Sequence, residues 1–143
     1  MRGADLSSDA PLKDWIRSEM TLEKPDILLQ VKDRVARLLG VSTEGTVGFR
    51  LTAEQLERLG AEEKILLYTL GKLYAQAADY ADTDSVTNAE LQANLGMPEG
   101  TVRGKLTLLR KSGFVNSEKP GTHNIARNRI LEVLAEVERK AGH

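Results

Sequence analysis

The spacing of hydrophobic positions along the chain changes from a helical period to an alternating one and back. Over residues 24–39, apolar side chains recur every three or four positions, which predicts an amphipathic helix with Gly40 as its terminating residue. Over 46–51 every second residue is apolar, which predicts a half-buried strand that needs a pairing partner in the chain or in a second copy. A short helix over 52–59 and a long one over 61–81 follow.

Two residues indicate where these helices pack. Gly71 lies inside the long pattern, where glycine costs up to about 1 kcal/mol relative to alanine. It therefore predicts the close approach of another helix. Upstream, residues 11–20 form a helical pattern with Leu12, Trp15 and Ile16 on one face. Trp15 is the only tryptophan, and we interpret it as a packing anchor against a neighbouring helix or a second subunit.

Residues 87–115 carry two helix patterns separated by a tight turn and followed by an extended segment. Thr87 and Glu90 have the spacing of a capping box at the start of the first helix. The second helix ends at Gly113 and has an apolar stripe at i, i+4 and i+7, formed by Val102, Leu106 and Leu109. This order of elements is typical of a helix-turn-helix motif.

A hairpin pattern follows the motif. Segments 114–118 and 123–127 predict two strands, and the Lys119-Pro120-Gly121 turn joins them. Residues 85–86 predict a third, short strand before the motif. Asn128 is a candidate cap for a last helix over 128–140, which has a broad apolar face.

The motif resembles the winged-helix superfamily, in particular the small DNA-binding transcription regulators of archaea and bacteria. The family's pattern is matched here by Glu90-Leu91, Leu95-Gly96, Thr101-Val102, Leu106, Leu109, Gly113 and Val115. The resemblance implies a mainly α protein with a small β-wing: a winged helix-turn-helix core plus an N-terminal helical extension with one strand. We expect the extension over 1–51, as a surface for dimerisation or a partner, and a winged-helix domain with a C-terminal helix over 52–143.

The formal net charge of −1 hides an uneven distribution. Residues 98–129 carry 7 Lys/Arg and 2 Asp/Glu, a net charge of +5, whereas residues 1–97 carry 11 and 16, a net charge of −5. Nucleic-acid-binding proteins concentrate basic residues on one face. Because the basic segment coincides with the motif, the distribution favours nucleic-acid binding over an ordinary solvated surface.

Other chemistry has little support in the sequence. The chain has no cysteine and two histidines, and no glycine-rich phosphate loop follows a strand. We therefore expect no catalytic residues, no metal site and no cofactor. No apolar run is long enough for a signal peptide or a membrane span, so we expect a cytoplasmic protein without a membrane partner.

The resemblance also indicates which residues contact DNA. In winged helices the second motif helix usually lies in the major groove, which implies a recognition helix over 98–112 and a basic wing over 114–129. Arg103 is the best candidate for a bidentate contact with guanine. The candidate DNA-binding residues are Thr87, Asn88, Glu99, Gly100, Thr101, Arg103, Gly104, Lys105, Lys111, Lys119, His123, Arg127 and Arg129.

Two functions follow from this pattern. The first is a sequence-specific or architectural duplex DNA-binding protein, a transcriptional regulator that acts as a homodimer. The dimer interface would use the N-terminal helices, helix 128–140, or both. Alternatively, helix 128–140 packs back onto the N-terminal helices of its own chain. The second is a winged-helix protein–protein interaction module or scaffold in a larger nucleoprotein complex. Three features favour it: the modest net charge, the large acidic N-terminal extension, and the two helix glycines, Gly100 and Gly104.

Overall fold

The computed structural model describes residues 10–16 and 26–142, which form a mainly helical structure with small antiparallel sheets. The helices are α1 (Ala10–Trp15), α2 (Ile27–Gln30), α3 (Lys32–Leu38), α4 (Ala53–Arg58), α5 (Ala61–Ala77), α6 (Asn88–Leu95), α7 (Glu99–Lys111) and α8 (Ile130–Ala141). The strands are β1 (Leu39–Val41), β2 (Val47–Phe49), β3 (Val86–Thr87), β4 (Val115–Asn116) and β5 (Thr122–Ile125). A 3₁₀ turn, Arg127–Arg129, precedes α8.

Helix α5 lies at the centre of the fold. Every residue from Ile65 to Gly71 is buried, so this helix is covered on all sides. Thr69 lies within this buried stretch, and its hydroxyl donates to the backbone carbonyls of Ile65 and Leu66. Its polar group is therefore satisfied inside the helix, and apolar elements can pack around it.

The N-terminal part packs on one side of α5 as two short helices and a hairpin. The single helix predicted over 24–39 is wrong in two respects: a break at Val31 separates α2 from α3, and α3 ends at Leu38. Strand β1 follows at once and pairs antiparallel with β2, with Val41 opposite Val47. A strand therefore lies within the range predicted, 46–51, although it is shorter (Val47–Phe49), and its partner is the segment directly before it.

Gly71 contacts this hairpin. A Cβ atom built on Gly71 would lie 2.4 Å from Val47 Cγ1, well inside any permitted contact distance. The close approach predicted for Gly71 is therefore present, but a strand makes it and not a helix. The β1–β2 hairpin can lie directly on the α5 backbone because position 71 has no side chain.

On another side of α5 lie the motif helices and a three-stranded antiparallel sheet. The sheet has the strand order β3-β5-β4, with Val86 opposite His123 and Val115 opposite Ile125. Helix α6 begins directly after β3 and ends at Gly96, which has φ 65°. The predicted stripe on α7 is confirmed, since its three members are buried: Val102, Leu106 and Leu109.

Helix α8 returns to the N-terminal part. It buries Ile130, Val133, Leu134, Val137 and Ala141, and the Arg34 guanidinium donates to both carboxylate oxygens of Glu138, at 3.0 and 2.6 Å. The apolar face that was a candidate for dimerisation is therefore used inside the chain. Asn128 is not the cap that was predicted, because it lies within the 3₁₀ turn and α8 begins without a side-chain cap.

One hydrophobic cluster connects these parts, from Leu28 in α2 to Ala141 in α8. Residues on both sides of the expected boundary between 51 and 52 contribute to it. Helix α1 is different: none of its residues is buried, and Trp15 is 54% exposed, so Trp15 is not part of the core. Positions 17–20 of the helix predicted there lie outside the described residues.

Among the described helices, none combines the length and apolar character needed to cross a membrane.

The contact of Gly71 with Val47 predicts an unusual response to alanine. Gly71→Ala should lower the free energy of unfolding by about 1–3 kcal/mol, because the added methyl overpacks the core, even though alanine favours a helix by about 1 kcal/mol over glycine. Urea unfolding followed by circular dichroism measures this. The matched control is Gly104→Ala on α7, where a Cβ meets nothing within 4 Å.

The Gly104→Ala control should raise the free energy of unfolding slightly, because alanine favours a helix over glycine. Combining Gly71→Ala with Val47→Ala should cost less than the sum of the two single substitutions, since truncating Val47 makes room for the methyl group. Equal effects of alanine at positions 71 and 104 would contradict the close contact.

Candidate nucleic-acid interface

The first motif helix is fixed to α5 through Glu90. Its carboxylate accepts hydrogen bonds from the Tyr68 hydroxyl at 2.8 Å and from Lys72 Nζ at 2.9 Å. Burial, followed by this hydrogen bond to Glu90, raises the pKa of Tyr68, so the phenol remains a donor. Thr87 caps α6 as predicted, because its hydroxyl accepts from the Glu90 N–H. The Glu90 carboxylate does not complete the predicted capping box, because it faces α5.

A hydrogen-bonded chain through His123 joins both motif helices to the central strand of the sheet. His123 Nε2 lies 2.7 Å from Asn88 Oδ1 at the start of α6, and Nδ1 lies 3.5 Å from a terminal nitrogen of Arg110 on α7. Arg110 is a donor only, so Nδ1 is the acceptor and Nε2–H donates to Asn88. The imidazole is therefore neutral.

The position of His123 corrects one predicted contact. His123 is only 2% exposed, so its ring is not available to DNA, and Asn88 shares its side-chain oxygen with that ring. Burial lowers the pKa of His123, and the nearby Arg110 charge lowers it further. His123 thus holds the sheet against α6 and α7 and does not belong to the surface of the candidate interface.

The outer face of α7 is open and carries little charge at its leading end. A Cβ atom at Gly100 or at Gly104 would meet nothing within 4 Å. Arg103 lies between them, 68% exposed at its side chain, with a guanidinium nitrogen 2.8 Å from Glu99 Oε1. Farther along, Leu108 is 51% exposed. The exposed surface is therefore a glycine-lined strip with one arginine, followed by a leucine.

Four of the seven cations in 98–129 lie within 4.0 Å of a carboxylate. Besides the Arg103 pair, Lys105 Nζ is 2.8 Å from Glu62 and an Arg127 nitrogen is 3.9 Å from Asp26. The fourth, Arg129, lies beside Glu132, places its guanidinium 4.0 Å from the centroid of the Phe114 ring and donates to the Ser112 carbonyl. The exposed positive charge is therefore smaller than the sequence count indicates.

The other three cations are Arg110, Lys111 and Lys119. All three are exposed, and none is within 4.0 Å of a carboxylate in the part of the chain that the structure describes. Arg110 was not among the predicted site residues. The sequence did contain a signal for Arg110. This residue follows Arg103 by seven positions, so the two arginines lie on nearly the same side of α7, two turns apart.

The remaining predicted residues occupy different positions. Thr101 is half-buried near the start of α7, Lys111 is in its last turn, and Lys119 lies in the turn of the β4–β5 hairpin. The Arg110–His123 contact joins that hairpin to α7. Within the described ranges, no group of three or more His, Asp or Glu side chains is arranged to hold a metal ion.

No family model, curated protein or solved structure matches the chain.

The buried neutral His123 predicts a pH-dependent stability. In the unfolded chain its pKa returns to about 6.5, whereas in the fold it is lower. The stability from neutral His123 is therefore fully present above about pH 6.5 and decreases as the pH falls through the folded pKa. Thermal unfolding at pH 7.5 and pH 5.0 should show a smaller decrease for His123→Gln than for the wild type.

Glutamine at this position retains an amide N–H for Asn88 but does not titrate. The carboxylates titrate equally in both proteins, so the difference between the two pH profiles isolates His123. Parallel profiles would contradict the buried neutral imidazole.

Proposed function

We propose that this protein binds duplex DNA as a winged-helix transcriptional regulator, through α7 and the β4–β5 hairpin, and that it acts as a homodimer. The observation that carries the proposal is the coincidence of three features in residues 98–129. They form the second motif helix and the hairpin, they have a net charge of +5, and Arg110 and His123 join the two elements. The chain order α5, β3, α6, α7, β4, β5, with β3 in the same sheet as the β4–β5 hairpin, supports the proposal.

In this proposal α7 enters the major groove with its leading half toward the base edges. Gly100 and Gly104 allow the helix backbone to approach the bases, because neither residue has a side chain. Arg103 reads a guanine or contacts a phosphate. Its exposed i,i+4 pair with Glu99 is weak, since such pairs contribute only about 0.3–0.5 kcal/mol. The guanidinium is therefore free to exchange one acceptor for another.

Phosphate contacts come from Arg110, Lys111 and Lys119. These cations and Arg103 would neutralise about four phosphates per chain, which corresponds to a log–log salt slope of about −3 to −4. With so few contacts, one chain binds weakly at physiological salt. A homodimer that places two α7 helices about 34 Å apart, in successive major grooves, doubles the contacts and the slope.

Substitutions at the two members of the Glu99–Arg103 pair should change the affinity for DNA in opposite directions. Arg103→Ala should weaken binding to a duplex by about tenfold at low salt, because it removes one charge-assisted contact. Glu99→Gln should strengthen binding, because it removes a negative charge beside the phosphates and releases Arg103. Fluorescence anisotropy with labelled duplex across a salt series measures both.

The matched control is Arg139→Ala. Arg139 has the same exposure as Arg103, 67% against 68%, and also pairs with a nearby glutamate, but it lies on α8 outside the candidate interface. Its loss should change DNA affinity little. Absence of binding at low salt for the wild type and for Glu99→Gln would refute DNA binding.

A second candidate function is a protein–protein interaction module, and the outer face of α7 favours it. Gly100, Gly104 and the exposed Leu108 lie at i, i+4 and i+8 and form an uncharged strip suited to a partner helix. Capture of one stoichiometric protein partner, lost in Gly104→Gln and retained in Arg103→Ala, would support this function over DNA binding.

A further inference from the structure

Arg110 differs from most cations of the candidate interface in the acceptor that it contacts. Four of the cations in 98–129 lie beside carboxylates, which offset their charge: Arg103, Lys105, Arg127 and Arg129. Arg110 is exposed, and one of its terminal guanidinium nitrogens lies 3.5 Å from Nδ1 of the neutral His123 ring. This contact holds the guanidinium without cancelling its positive charge.

The ring that holds Arg110 is itself held in place. His123 is 2% exposed and lies on β5, the central strand of its sheet, with Nε2 2.7 Å from Asn88 Oδ1 on α6. Because Arg110 can only donate, Nδ1 is the acceptor and Nε2–H is the donor to Asn88. A buried ring with its far nitrogen hydrogen-bonded keeps one orientation, so Nδ1 stays directed toward α7.

The place of Arg110 on α7 suits a contact with the DNA backbone. It lies on nearly the same side of the helix as Arg103, about 10 Å farther along the helix axis. With the leading half of α7 toward the base edges, a residue two turns later lies closer to the sugar–phosphate backbone. His123 belongs to the β4–β5 hairpin, so the guanidinium lies where the hairpin and α7 meet.

We propose that His123 is a positioning residue, which holds the Arg110 guanidinium ready for one DNA phosphate at the junction of α7 and the β4–β5 hairpin. This inference rests on the proposed DNA binding and adds to it a buried residue that acts through Arg110 without touching DNA. An exposed arginine normally loses side-chain freedom when it binds, and Arg110 has lost part of that freedom beforehand. Its remaining N–H donors are available to the phosphate oxygens.

Two substitutions of His123 separate the two contacts of its ring. An asparagine amide reaches the position of Nδ1, so His123→Asn keeps an acceptor for Arg110. A glutamine amide reaches the position of Nε2, so His123→Gln keeps the donor to Asn88 and loses that acceptor. At pH 7.5, above the lowered pKa of His123, fluorescence anisotropy at low salt should show duplex binding about three- to tenfold weaker for His123→Gln. His123→Asn should bind like the wild type.

A double-mutant cycle shows whether His123 acts through Arg110. Arg110→Ala should weaken binding about tenfold at low salt and reduce the log–log salt slope by about one, whereas His123→Gln removes no charge and should leave the slope unchanged. Adding His123→Gln to Arg110→Ala should change the affinity by less than about twofold. The matched control is Lys111→Ala, at the next exposed cation of α7. Its effect should add to that of His123→Gln, because the ring contacts Asn88 and Arg110.

The contact itself is measured without DNA. Nitrogen-15 NMR of the free protein at pH 7.5 should show the His123 ring with its proton on Nε2. Arg110→Ala should shift the Nδ1 resonance, because this nitrogen loses its hydrogen-bond donor, and Lys111→Ala should leave it in place. Circular dichroism melts establish that each variant is folded at the temperature of the binding measurements.

Three results would overturn the positioning role while leaving DNA binding intact. The first is a His123→Gln variant that binds duplex as tightly as the wild type. The second is an equal loss of affinity in His123→Gln and His123→Asn, which indicates a general effect on the fold. The third is full additivity of His123→Gln with Arg110→Ala. Absence of duplex binding by the wild type at low salt is a different outcome, because it refutes the proposed function and this inference together.

Discussion

The complete burial of the middle of α5 is the constraint on which the rest of the structure depends. A helix with seven consecutive buried residues, Ile65 to Gly71, must have apolar neighbours on every side, and a minimal helix-turn-helix with its sheet covers only part of that surface. The β1–β2 hairpin, seated on Gly71 through Val47, covers another part. The N-terminal segment 26–51 is therefore integral to the core, although its sequence pattern sets it apart from the motif.

Local periodicity predicted most helices but did not resolve choices that depend on distant residues. Leu38 and Leu39 continue a helical stripe and also suit a strand, and pairing with β2 decided in favour of a strand from Leu39 onward. Glu90 has the spacing of a capping box, but Tyr68 and Lys72 on α5 bind its carboxylate. Gly71 indicated a close contact, but a missing side chain carries no information about which element approaches.

At the candidate site, the sequence shows the number of basic residues but not which of them lie beside carboxylates or which residues are buried. The basic segment was evident from the sequence, yet Glu62, Asp26 and Glu132, which come from outside 98–129, lie beside three of its cations. His123 is among the predicted DNA-binding residues, but it is buried. Its alternation with Ile125 along β5 places both on one buried face, a signal that was present in the sequence.

Helix α8 has a consequence for how the chain reaches its native state during synthesis. Residues Ile130–Ala141 provide five buried side chains to a cluster that otherwise spans α2 to β5, and Glu138 closes a bidentate ion pair with Arg34 more than a hundred positions earlier. A ribosome must therefore have translated α8, and α8 must have left the exit tunnel, before the core can close. Until then the hydrophobic surface of α5 that α8 will cover remains accessible, and transiently exposed apolar surface of this kind promotes aggregation of the incomplete chain.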